Sequence, residues 1–135
     1  MSYHNFKLPG AIAAGNLSTS QFLAVRLTSG TSGFEVDETT LTTHKAIGVL
    51  QNKPESSGQP AEVITLGVTK AMYGGTVAVN DELGVNTSAQ FVTLADSSAT
   101  TTGLFMFATA LEAGAANEFH WIMFHGARGR NMSTG

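Results

Sequence analysis

A chain of 135 residues is one domain's worth, long enough to bury roughly two-thirds of the surface it exposes unfolded. Its net charge of −3, without clustered Lys or Arg, excludes the counterion-releasing surface that nucleic-acid binding requires. The absence of cysteine excludes disulfides and thiolate metal sites.

Charged residues make up only 13% of the chain, so hydroxyls and small side chains must cover much of the surface. Such a surface loses little desolvation energy when another protein covers it. No run approaches the ~20 apolar residues needed to span a bilayer. The start, Met1 to Gly10, has no apolar core of signal-peptide length. We therefore expect no membrane partner, and synthesis and retention in the cytosol or in a particle assembled there.

Residues 1–20 show no helical or strand period, and Pro9, Gly10 and Gly15 interrupt the first fifteen. Residues 1–15 read as an extended N-terminal arm whose apolar pegs, Tyr3, Phe6, Leu8 and Ile12, reach beyond their own domain. Residues 16–126 read as the domain proper and 127–135 as a flexible tail carrying Arg128 and Arg130. Gln21 to Ser29 alternates apolar and polar positions, as a half-buried strand does. The turn Gly30-Thr31-Ser32-Gly33 leads into Phe34-Glu35-Val36, and residues 37–43 read as a surface loop. Lys45 to Gln51 is a second alternating strand; the Pro- and Ser-rich stretch Asn52 to Pro60 is a loop.

The centre of the chain is residues 61–84. Ile64, Leu66 and Val68 alternate with Val63, Thr65 and Thr69, and Gly67 at the middle marks a bend, a bulge or a close backbone approach. Gly74-Gly75 and Asn80-Asp81 then turn the chain around a short extended piece, Thr76 to Val79. A strand follows at Gln90 to Leu94 and a polar loop at Asp96 to Thr102. The last two strands, Leu104 to Phe107 and Phe119 to Phe124, are apolar on both faces, so each face needs a cover. A weak internal echo links Ala46–Leu50 and Ala61–Ile64 to Phe107–Leu111 and Asn117–Phe119, both reading as hairpins. No candidate helix survives its Gly or β-branched interruptions. The expected fold is all-β, a small single-domain barrel.

The residues carry no recognisable catalytic arrangement. His120 and His125, five positions apart on a strand, face opposite sides and do not share a metal; His4 and His44 lie in the arm and a loop. Asp37-Glu38 and Asp81-Glu82 are turn residues, where Asp bonds its own backbone. No Gly-x-Ser-x-Gly elbow is present. We expect no enzyme activity, no cofactor and no metal.

The run Ala46 to Asn52, a Gly-containing loop, Ala61-Glu62-Val63 and Gly67 to Lys70 resembles the tailed-bacteriophage head decoration family, the capsid cement proteins. So do Gly75 to Leu83, Gln90-Phe91-Val92 and the closing Ala110 to Ala115 with its following apolar strand. The likeness runs from about Asn16 to Phe124. The second turn departs from it, carrying Asn80 where the family usually has Gly before Asp, and the arm has no family counterpart.

The resemblance implies a small β-barrel or β-tulip on the outer surface of an icosahedral virion head, made in the host cytoplasm. It implies a homotrimer at three-fold or quasi-three-fold positions that clamps neighbouring major capsid proteins against internal DNA pressure. The pegs Tyr3, Phe6, Leu8 and Ile12 are then candidate capsid contacts. Phe105, Phe107, Phe119, Trp121 and Met123 are candidate subunit-interface residues, because one small barrel covers only one face of the closing hairpin. The alternative is a virion-surface β-module binding host glycans, with Trp121 or Tyr73 stacking on a sugar.

Overall fold

The computed structural model describes residues 5–29, 33–94 and 105–129. Ten strands follow one another with no helix among the described residues: β1 (Phe6–Lys7), β2 (Ala11–Ala13), β3 (Ala24–Leu27), β4 (Phe34–Glu38), β5 (Gly48–Leu50), β6 (Val63–Met72), β7 (Glu82–Val85), β8 (Phe91–Thr93), β9 (Phe105–Ala110) and β10 (Phe119–Gly129). The fold is all-β. The alternating stretches become β3, β5, β6 and β8, and both echo segments become antiparallel hairpins, β5–β6 and β9–β10.

The sheet runs in the order β2-β4-β3-β5-β6-β10-β9-β7-β8, with β1 added onto β6. It is not the closed barrel expected. Each end of the path curls back on the neighbourhood of β6 instead of meeting the other end: Ile12 bridges Pro60, and Tyr73 bridges Phe91. Two cores form within this curl. One core gathers Phe91, Phe107, Phe124, Ile122, Leu83 and Tyr73, and also takes Leu23, Ala24 of β3, Ala46 and Val49 of β5; the other gathers Val25, Val36, Leu50, Val63, Leu17, Ala11 and Ala13.

The division is made inside β6. Val63 and Ile64 pair with β5, whereas Gly67 to Met72 pair with β10. Gly67 lies at the change-over with φ +130°, a left-handed value inside a strand, and the Asn5 side chain packs where a Cβ would stand. Asn5 bonds both backbone groups of Val68, from Nδ2 to its carbonyl at 2.9 Å and to Oδ1 from its amide at 3.0 Å. The close approach expected at Gly67 is thus an N-terminal side chain clasping the central strand.

That clasp, with β1 and β2, corrects the reading of residues 1–15 as an arm outside the domain. Phe6 pairs with Leu66, β2 runs parallel to β4, and Ala11 and Ala13 are core. The Pro and Gly interruptions that hid a period leave strands of only two and three residues, too short to show alternation. The tail begins later than expected, since β10 continues to Gly129. In the second turn Asn80 takes φ +74° and so adopts the backbone for which a glycine is usually used.

Candidate functional site

Strand β10 divides its side chains cleanly. Ile122 and Phe124 are fully buried, Phe124 stacking on Phe107 and meeting Phe91 edge-on, each with centroids 6.3 Å apart. The alternate positions point outward, leaving Phe119 48%, Trp121 39% and Met123 45% exposed. Pairing with β6 sets Met72, Lys70 and Val68 beside them on the same face. Along β6 that face continues to Leu66, and across to Phe6 of β1, which is 63% exposed. The result is a row of large apolar side chains along the central strands.

Two features shape the row. The Lys70 ammonium lies 5.6 Å from the centre of the Trp121 ring, a cation–π contact that lays the lysine stem along the sheet. Phe22 meets Phe119 edge-on at 5.5 Å. Phe22 has φ +67°, a left-handed backbone rare for a bulky residue and costing of order 1–3 kcal/mol. Its amide donates to Leu50 O at 2.7 Å and its carbonyl accepts from Met72 N at 3.0 Å, and these bonds hold the strain in place.

A shallow groove beside Trp121 is lined by Asn5, Phe22, Gln51, Ile64, Val68, Thr69 and Lys70. Three of its polar side chains, Asn5, Gln51 and Thr69, are already hydrogen-bonded within the domain. Asn5 is bonded to Val68, and Gln51 Nε2 donates to Val49 O at 3.0 Å and Thr69 Oγ1 at 2.8 Å. The groove therefore offers shape and apolar area more than free hydrogen-bonding groups.

Of the expected interface residues, Phe119, Trp121 and Met123 lie together on this face. Phe107 does not: it is a core residue, and its assignment to an interface is corrected. Phe105 is partly buried against the same core, with Lys45 Nζ 5.2 Å above its ring. Alternation along β9 does not carry both phenylalanines outward because both pack towards the core. Of the expected capsid contacts, Phe6 is exposed and joins the row, and Tyr3 lies outside the described residues. Leu8 packs on the second core and donates its amide to Val63 O at 3.0 Å; Ile12 is half-buried beside Pro60. Tyr73 is fully buried, so of the two rings offered for stacking on a sugar only Trp121 is exposed. Leu66, Lys70 and Phe22 belong to the face but were not among the expected contact residues; alternation placed Leu66 on one face of its strand, and only the register of β6 with β10 joins that face to Trp121.

The acidic turn Asp81 behaves as a turn residue, its Oδ2 accepting from Ala78 N and Thr93 Oγ1, each at 2.8 Å. Among the described residues no three His, Asp or Glu side chains are placed to hold a metal ion.

No protein-family model matches the chain, and no curated protein does. A solved structure that does match is that of the head fiber gp8.5 N base in bacteriophage phi29, with a TM-score of 0.60 and 15% identity, covering 96% of this chain and 100% of that one. At this identity the likeness is one of fold.

Proposed function

We propose that this chain is a structural protein of a bacteriophage head that works by docking on other proteins rather than by catalysis. The observation that carries this reading is the extent of the fold match: almost the whole chain superposes on the whole of a phage head fiber base. The turn-and-strand pattern that resembles head decoration proteins points the same way independently.

In finer terms we infer a decoration, or cement, protein on the outer surface of the head, bound to the major capsid protein at three-fold or quasi-three-fold positions as a homotrimer. The outward row of Phe6, Leu66, Phe119, Trp121 and Met123 supports a role in protein contact, since a contiguous apolar stripe on a small domain is a place for a partner. A glycan site is less well supported. The exposed Trp121 ring suits a sugar, but Asn5, Gln51 and Thr69 of the adjoining groove are bonded within the domain.

The test is cosedimentation of the purified protein with heads assembled without it. We expect saturable binding that Trp121→Glu abolishes while the variant stays folded. Failure to bind heads, together with a glycan-array signal that the same substitution removes, would replace this reading by the glycan-binding one.

A further inference from the structure

The loop joining β9 to β10 is closed around a histidine. His120 Nδ1 is 3.2 Å from Glu112 Oε1, and Nε2 is 2.9 Å from Glu118 Oε1. A neutral imidazole donates from one nitrogen only, which would leave the other lone pair facing a carboxylate oxygen; the imidazolium donates from both. The ring is fixed between two walls. It stacks on Tyr73 at 5.0 Å, and on Gly114 a Cβ would overlap it. Tyr73 Oη donates to the Glu112 carbonyl at 2.7 Å, so the wall and the loop are tied together.

The carboxylates have second tasks. Glu112 Oε1 also accepts the Trp121 backbone amide at 3.0 Å, and Glu118 Oε1 accepts that of Ala115 at 2.9 Å. We propose that protonated His120 is a latch that holds the 111–118 loop against β10 and, through the shared carboxylate of Glu112, fixes Trp121 in its place on the outward face. Raising the pH through the His120 titration opens the latch.

The charged surroundings agree in direction. The bond to Glu118 raises the His120 pKa above its ordinary 6.5, aided by Glu112 and opposed by partial burial. Glu112 is held below the ordinary 4.5 by the Trp121 amide first and His120 second, with Lys70 adding a little; Glu118 is held below it by His120 and then Ala115. Tyr73, pushed to about 12 by burial first and then by Glu112, with Asp81 adding the least, stays a neutral donor. The signs follow. The histidine's contribution is complete below 6.5 and lost as pH rises through its raised folded value. The carboxylates' contribution is complete above 4.5 and lost as pH falls through their lowered folded values. The latch is closed between these limits.

Trp121 is the chain's one tryptophan, so its fluorescence reads the latch in the intact protein. We expect emission to move to longer wavelength as pH rises, with the same midpoint as the His120 ring protons by NMR, above the ordinary histidine value. His120→Gln should abolish the transition and His125→Gln should keep it. A wild-type emission that does not change with pH, a transition that survives in His120→Gln, or a His120 midpoint at or below the ordinary value overturns the proposal. If His120→Gln does not fold, Glu118→Gln decides, because it removes an exposed carboxylate from the ring and leaves the Trp121 amide its acceptor. It must lower the midpoint, and an unchanged midpoint overturns the latch.

Discussion

Phe107 and Trp121 are both large and aromatic, and the hairpin that carries them gives them opposite tasks. Phe107 is stacked on Phe124 with no exposure, so Phe107→Ala should lower the free energy of unfolding by about 3–5 kcal/mol in a denaturant titration. Met123 stands on the outward face, and Met123→Glu should change stability by no more than about 0.5 kcal/mol while weakening head binding. A Met123→Glu protein that unfolds would make the face part of the core and remove it as a docking surface. At this scale the sequence was partly legible. Alternation separated Trp121 from Ile122 and Phe124, but nothing local distinguished Phe105 and Phe107 from Phe119, because burial there depends on what β7 and β10 bring across. His120 was illegible for a related reason: its two carboxylates lie on a loop whose path no periodicity describes.

Whole elements were legible where they alternated, as in β3 and β6, or ran apolar without a break, as in β10, and where Pro, Gly and Ser grouped to end them. They were missed where pairing is short and distant in sequence. β1 and β2 owe their extended form to β6 and β4, and β7, at Glu82–Val85, to β8 and β9 rather than to its own residues. Residues read as an arm outside the domain are therefore part of its fold. Their removal takes Ala11 and Ala13 from the second core and the Asn5 clasp from β6, so we expect a large fall in melting temperature or no cooperative transition by calorimetry. An unchanged melting curve would mean that β1 and β2 add nothing to the fold. Gly67→Ala tests the same junction from the other strand. It places a Cβ against Asn5 at a left-handed backbone and should cost about 1–3 kcal/mol. A neutral substitution would show that the bend between the two halves is not held there.

At the scale of the molecule, the remaining question is what covers the outward row. The two ends of the sheet are accounted for, since β2 and β8 each fold back beside β6 through the bridges at Ile12 and Phe91. The faces around the two cores are also accounted for. Leu27, Phe34, Leu41, Val79 and Leu111 are also exposed, but the stripe over β1, β6 and β10 gathers five large apolar side chains on paired strands, and covering it would recover about 25 cal/mol per Å² of apolar area before association costs. If copies of the chain cover one another, closed symmetry hides the stripe without propagating into fibres, and three copies would suit a three-fold position on a head. We therefore expect the wild-type protein to sediment as a trimer, and Phe119→Glu and Trp121→Glu each to sediment as folded monomers with unchanged circular dichroism. A glutamate at either position would bring like charges together at a closed contact and leave them desolvated. If the wild type sediments as a monomer at all concentrations but still loses head binding on the same substitutions, the row is occupied by the capsid protein rather than by a second copy. If the substitutions alter neither sedimentation nor head binding, the row is not a docking surface.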